Sequence, residues 1–499
     1  MLALVVFGRG GRAFGLGLRP SLAVRLRGMS KRAASEALAP EAGDGVRLTN
    51  PMQLKKKVAA SVDQREPSAR DPRGLGDPSL RREEGAGKRV PKRKLALLLG
   101  YRGANYYGLQ KQNAESGLPT IELALQEALN AVGAVHEANQ GDLSKIGWSR
   151  SARTDKRVSA ARQVVSAKLE VEDDDVAALV AKVNGALPPD IRVFDAVRVV
   201  KSFNCKQACD RRRYTYLLPS CVLAPDAVID AAFAAVGYGP DRVAACQAAA
   251  AEAKARGAHP MDWKLDDAAA AAVADELAAF RAGADVLSRL RAFLAAYVGT
   301  RRYHNFTNKL KPTDSAAQRF IVSFTADAPT YPSGDASAGA EWVKLDVVGQ
   351  SFLMHMIRKM VAVAAEAARV DKGDPTAVLD GLTSEAHEIP LQLVPGDGLY
   401  LGSPVFDTYN KFKATAADRP KLEWNEGHPA FEAIERFRLD VVESGIVDEG
   451  KAAAVRPWVT YLWQLRVFGF ALAPDDAVPV PNPAPEEESD DDDNDGKDA

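Results

Sequence analysis

Regular apolar patterning begins near Lys94, where Leu95 to Tyr101 forms a short apolar run that predicts a strand. Thr120 then stands where a helix cap belongs, and Ile121, Leu125, Leu129 and Val132 recur behind it at helical spacing. Gln163 to Val171 alternates as a strand does, and Asp173 to Asp175 place negative charge at the start of a helix running to Leu187. Ile191 to Val200 and Arg213 to Leu218 predict two more strands. The order strand, helix, loop, strand, helix, strand, strand implies an α+β unit with helices packed on a sheet.

From Ala224 to about Ala282 alanine and acidic residues dominate, which predicts a helical insertion acting as a spacer without site chemistry. A second unit of similar plan follows. It has a helix from Val286 to Val298, the tetrad His304-Asn305-Phe306-Thr307, strands from Arg319 to Ala326 and Trp342 to Val348, and a long helix from about Ser351 to Val370. Gly396-Asp397-Gly398-Leu399-Tyr400-Leu401 leads into a last strand, after which Trp424 to Glu443 and Lys451 to Phe470 predict helices.

Composition changes the picture mainly at the flanks. Residues 1–40 interleave Arg9, Arg12, Arg19, Arg25, Arg27, Lys31 and Arg32 with small apolar residues, and no acid precedes Glu36, as in a mitochondrial transit peptide. Leu2 to Phe7 is too short to span a bilayer, so no membrane association is expected. Met29 offers a second start, and Lys88-Arg89-Val90-Pro91-Lys92-Arg93-Lys94 would then remain as a nuclear signal of low specificity, so mitochondrion and nucleus both stay open. Residues 41–92 lack periodicity and read as a disordered basic linker, and residues 474–499 as a disordered acidic tail. The net charge of -1 hides an asymmetry: Pro485 to Ala499 carries nine acids and one lysine, which leaves +7 on the rest. Between the flanks the expected divisions are 93–222, the insertion 223–283, 284–408, and a helical extension 409–473.

Residues 149 to 163 set one carboxylate, Asp155, among Arg150, Arg153, Lys156, Arg157 and Arg162. Neighbouring cations favour the ionised form of an acid and would also hold a polyanion against it. An anion pressed onto a phosphate backbone weakens binding, so its better use is chemical, as nucleophile or base; a solvated surface loop is the plain alternative. On the helix after Gly349, Ser351, His355 and Arg358 line up at spacings of four and three, opposite Leu353, Ile357, Met360 and Ala364. An arginine there needs a carboxylate or phosphate partner, an internal ion pair being the plainer reading. Four cysteines without a CxxC pair suit a reducing compartment, and although Cys205 and Cys209 could share a helix face, no second pair completes a zinc site.

Ala152-Arg153-Thr154-Asp155-Lys156 followed by Val158-Ser159-Ala160, then Arg213-Tyr214-Thr215-Tyr216, His304-Asn305-Phe306-Thr307 and Gly349 to Met360 occur in an order that resembles the tRNA pseudouridine synthase family, eukaryotic multi-site branch. Pro395-Gly396-Asp397-Gly398-Leu399 and Lys94-Leu95-Ala96-Leu97 extend the likeness over about Lys92 to Phe406. The resemblance implies an α+β fold whose two similar halves join their antiparallel sheets into one mixed sheet, with a basic cleft between them. It implies an isomerase that needs no cofactor and no metal and acts on tRNA, with messenger or small nuclear RNA as further candidates, and it suggests no obligatory protein partner.

Carried over residue by residue, Asp155 is the essential acid, acting either on C1′ or on the C2′ proton. Tyr214 stacks on the flipped base, and its hydroxyl could assist proton transfer at C5. Arg358 pairs with Asp155 through a bidentate contact. Arg153, Lys156, Arg157, Phe306, Gln350 and His355 are expected to bind substrate. Arg150, Arg162, Arg301, Arg302, Lys309 and Lys311 are further candidates for phosphate contacts. One departure stands out: the family usually has glycine where this chain has Arg157, and a positive φ there would cost a side chain about 1–2 kcal/mol. Two other classes stay open, an RNA-binding or RNA-folding module that has lost its chemistry, and a nucleoside hydrolase, which would normally need a second carboxylate.

Overall fold

The computed structural model describes residues 90–112, 116–257, 265–308, 310–331, 339–414, 419–447 and 452–473. The expected transit segment, the linker up to residue 89, Lys309 and the acidic tail lie outside the described residues.

The apolar run near Lys94 becomes β1 (Lys92–Tyr101), and its burial explains why it lacks alternation. Leu95, Leu97, Leu99 and Tyr101 enter the main core, while Ala96 and Leu98 point into a second one with Val164, Val197, Phe203, Phe406 and Trp424. A strand covered on both faces has no polar side to show. Next come α1 (Ile121–Ala131), whose cap Thr120 accepts from the Leu123 amide, then β2 (Ser149–Arg150), β3 (Ser159–Glu170), α2 (Val176–Ala186), capped by Asp175, and β4 (Ile191–Arg198). A single helical turn at Cys205–Ala208 precedes β5 (Arg211–Pro219). Burial pushes the Cys205 thiol up to about 12, and among the described residues no group of three His, Cys, Asp or Glu could hold a metal ion.

The insertion folds as α3 (Asp226–Ala235), α4 (Pro240–Ala255) and α5 (Asp267–Leu277). It is more than a spacer, because α5 buries Val273, Ala274 and Leu277 and packs on the C-terminal helix. The second unit comprises α6 (Ala284–Ala296), β6 (Gly299–Arg302), β7 (Gln318–Ala326), β8 (Trp342–Gly349), α7 (Met356–Arg369), α8 (Pro375–Thr383) and β9 (Leu399–Val405). After it come α9 (Asp407–Phe412), α10 (Phe431–Phe437), which continues through a π-helical turn at Arg438–Glu443, and α11 (Ala452–Phe468). Among the described residues no helix is long and apolar enough to cross a membrane.

The nine strands among the described residues form one sheet in the order β4-β1-β3-β9-β5-β8-β7-β6, with β2 on β3. Every pairing is antiparallel except the seam, where β3 and β9 run parallel through Ser159↔Tyr400 and Ala160↔Leu401. β5 precedes the insertion in sequence yet lies between β9 and β8, so Tyr214 sits in the second half of the sheet. The C-terminal extension is held to the sheet by hydrogen bonds to two carboxylates: Glu435 accepts from Arg162, and Glu443 accepts from Tyr400 and Lys344.

Candidate active site

Asp155 lies in the loop that links β2 to β3, next to the parallel seam. The loop leaves the sheet after Ser151, whose amide still donates to the Val164 carbonyl at 2.9 Å. From there its backbone is claimed by surrounding groups. The Ala152 carbonyl accepts from Gln163 Nε2 at 2.8 Å, and the Ser151 carbonyl accepts from Arg212 Nη2 at 2.9 Å. Thr154 shares a hydrogen bond with the Tyr101 hydroxyl at 2.8 Å, and its carbonyl accepts from the Leu109 amide at 3.1 Å. The close approach of that second segment requires glycine at 108, where φ is +91° and a Cβ would come within 2.8 Å of the Thr154 oxygen. The loop is therefore fixed from both sides while the Asp155 side chain stays 24% exposed.

Asp155, Tyr214, His355 and Arg358 line one cleft of about 1880 Å³. Among the described residues nine lysines and arginines and three acids line it, so its field suits a polyanion. The volume exceeds the roughly 300–1,000 Å³ of a small-molecule site and leaves room for a nucleic-acid strand. Tyr214 forms part of the wall: it is 6% exposed, meets Phe352 edge-on at 5.4 Å, and donates its hydroxyl to the Arg153 carbonyl at 3.4 Å. Burial, with smaller contributions from Tyr101 and Asp155, raises the phenol far above its ordinary pKa, so the hydroxyl stays protonated.

The helix expected from Ser351 starts only at Met356, because His355 adopts φ 63° and ψ -5° and breaks the helical path. Ser351, His355 and Arg358 therefore do not share a helical stripe; Ser351 and His355 lie on the loop before α7, which lines the cleft. The expected bidentate pair is likewise not formed. Arg358 is 6% exposed, donates Nε to the Val394 carbonyl at 2.8 Å, and leaves Nη1 without a partner. Among the described residues the group within ion-pairing range of Asp155 is His355, with Nε2 at 3.9 Å from Oδ2, an ion pair when the imidazole is protonated. Two side chains in the left-handed region, Arg157 (φ 67°) and His355 (φ 63°), thus flank the carboxylate, and such strain persists only where the surroundings hold it.

The other expected contacts divide. Arg153 is exposed on the cleft wall, and Lys156 sits 4.2 Å over the Tyr107 ring. Arg157 lines the cleft but is ion-paired with Asp397. Phe306 is fully buried against Tyr297 and Tyr303, outside the cleft wall. Gln350 is exposed and also off the wall; its carbonyl accepts from Arg212 Nη1 at 2.7 Å. Among the phosphate candidates, Arg162 pairs with Glu435, Arg301 with Asp380 and Arg302 with Glu385, while Lys311 is exposed. Arg150 pairs with the buried Glu122 at the cleft wall.

Sequence reasoning missed Arg212, Gln163 and Lys359, whose roles come from distant chain segments. It also missed Thr460, Tyr461 and Gln464 of α11, which line the cleft. Lys359 is 4% exposed, donates to Asn308 Oδ1 at 2.7 Å, and is pushed down to about 8 by burial. An amphipathic reading of α11 could have flagged a face, but nothing in its spacing says that the face meets a cleft.

Comparison with known proteins bears on this arrangement. The family model described as tRNA pseudouridine synthase matches residues 293–407. The chain is 31% identical over 381 residues to "tRNA pseudouridine synthase 1" of Yarrowia lipolytica, covering 69% of this chain and 70% of the relative. It is 33% identical over 340 residues to the mouse "Pseudouridylate synthase 1 homolog", covering 68% and 67%. With the Saccharomyces cerevisiae "tRNA pseudouridine synthase 1" the identity is 31% over 366 residues, covering 65% and 63%.

Proposed function

Because the chain belongs to the tRNA pseudouridine synthase family, we propose that it isomerises uridines within tRNA in the basic cleft, with Asp155 as the reacting acid. The supporting observation is the convergence of Asp155, Tyr214 and Arg358 from three separate chain segments on one basic cleft of nucleic-acid dimensions.

The reaction breaks the N1–C1′ bond, forms a C5–C1′ bond, and moves one proton from C5 to N1, so product and substrate have the same atoms. Asp155 starts it, by attack on C1′ or by taking the C2′ proton. The target uridine leaves its stack at a cost of a few kcal/mol, which phosphate contacts along the cleft offset. Tyr214 offers a ring wall against the extruded base. The free Nη1 of buried Arg358 supplies a fixed positive donor beneath the site, worth most where water is excluded. His355 faces the carboxylate from the loop between β8 and α7.

The test is tritium release from tRNA labelled at uridine C5. Wild-type protein should release label, and Asp155→Asn should release at least about a thousandfold less while still binding tRNA. Equal release by the variant would remove Asp155 from the chemistry. Binding without release by wild type would favour the RNA-binding module.

A further inference from the structure

Arg157, two residues after Asp155, holds a backbone conformation (φ 67°) that glycine adopts freely and other residues resist. Its surroundings keep it there. The Arg157 amide donates to the Tyr106 carbonyl at 3.1 Å and Nη1 to the Ala104 carbonyl at 3.0 Å. Nε donates to Asp397 Oδ1 at 2.8 Å, with Nη2 at 2.5 Å from the same oxygen. Asp397 belongs to the turn Gly396–Gly398 that opens into β9, and its side chain is 20% exposed. The adjoining Gly396 lies so close to the loop that a Cβ there would come within 2.8 Å of the Lys156 carbonyl oxygen.

The place of this contact in the sheet gives it meaning. The parallel seam between the halves has two residue pairs, Ser159↔Tyr400 and Ala160↔Leu401. Arg157 and Asp397 each stand two residues before the strand that enters it, β3 and β9, so their ion pair extends a short seam toward the reacting carboxylate. A guanidinium already engaged by a carboxylate and a carbonyl is also poorly placed to recruit phosphate.

Taking Asp155 as the reacting acid, we propose that the Arg157–Asp397 pair is a positioning latch. It ties the Asp155 loop to the second half of the sheet and sets the carboxylate against the wall that carries Arg358 and Tyr214. Arg157 therefore acts through the loop rather than as a phosphate ligand, and Asp397 is its counterpart.

The experiment uses the full chain with tRNA tritiated at uridine C5, reading single-turnover rate constant and tRNA affinity separately. Arg157→Ala and Asp397→Ala should each slow the chemical step about tenfold or more, since small misplacement of a reacting group is costly. Affinity should stay within about twofold, and the double variant should be no slower than either single one, because both remove the same contact. Arg157→Gly should recover part of the rate, since glycine occupies the required φ without a latch. The proposal is overturned if Asp397→Ala keeps the full rate. It is overturned equally if Arg157→Ala weakens tRNA binding and lowers the salt dependence by about one charge. A wild type that releases no label would sink the proposed activity instead. Amide exchange across residues 153–158 would still read the latch, both alanine variants being required to speed it.

Discussion

Removing the carboxylate of Glu122 should weaken the fold and the cleft together. Glu122 sits in the first turn of α1 with 1% exposure and gathers four donors: the Lys111 amide at 3.0 Å, Trp148 Nε1 at 2.7 Å, and Arg150 Nε and Nη2 at 2.6 and 3.2 Å. Glu122→Ala leaves the Arg150 guanidinium, 22% exposed as a side chain, with Gln110 Oε1 as its remaining acceptor. Breaking one side of such a pair costs about 3–5 kcal/mol, which already includes much of the penalty for the orphaned donors. Glu122→Gln keeps one acceptor oxygen but turns an amide NH2 toward other donors, so about half that loss is expected, near 2 kcal/mol. Against the roughly 5–15 kcal/mol stability of a typical domain, the first change is severe and the second tolerable. The measurement is urea unfolding, with the midpoint shift read at constant slope. Trp148 and Arg150 both line the cleft, so the glutamine variant should also bind tRNA more weakly. A Glu122→Ala midpoint corresponding to less than about 1 kcal/mol would refute the reasoning, since a buried charge cluster cannot be that indifferent to losing its anion.

Two further outcomes follow from buried cations. The amine of Lys359 has a folded pKa of about 8, below the ordinary 10.5, so between those values the unfolded chain binds the proton that the folded chain lacks. The stability of wild type relative to Lys359→Met should therefore be lowest below pH 8 and rise up to about pH 10.5; parallel pH profiles in urea titrations would show that the amine is not desolvated. Arg369, with a 2% exposed side chain, joins Glu366 on its own helix to Asp226 of the insertion, which also accepts from Arg466 of α11. Arg369→Ala should cost about 3–5 kcal/mol. It should also shift the fluorescence of Trp463, which packs on Phe233 and Tyr238 of the insertion, and an unchanged emission spectrum at full stability would refute the coupling.

Much of the fold was legible because its signals are local. The cap at Thr120, the apolar spacing behind it, the alternating run before Val171 and the acids ahead of α2 each act within a few residues, and each formed the element expected of it. The left-handed residue at 157 was legible too, as a side chain standing where a resembling family has glycine. The helix expected from Ser351 failed for the converse reason. One left-handed residue, His355, ends helical geometry without disturbing the spacing of polar positions around it.

What the sequence by itself determined, then, is where the long strands and most of the long helices form and which residue types carry charge near Asp155, since patterning and capping depend on neighbours along the chain; it did not mark the short β2, β6, α8 and α9. The tertiary structure alone decided that β5 crosses into the second half of the sheet, and that Arg358 spends its Nε on the Val394 carbonyl while His355 faces the carboxylate. It alone placed Phe306 in the core and joined Arg157 to Asp397 across 240 residues of chain. Those outcomes depend on which surfaces meet once the sheet closes, and no spacing along a chain encodes the partner of a side chain that distant folding brings within 3 Å.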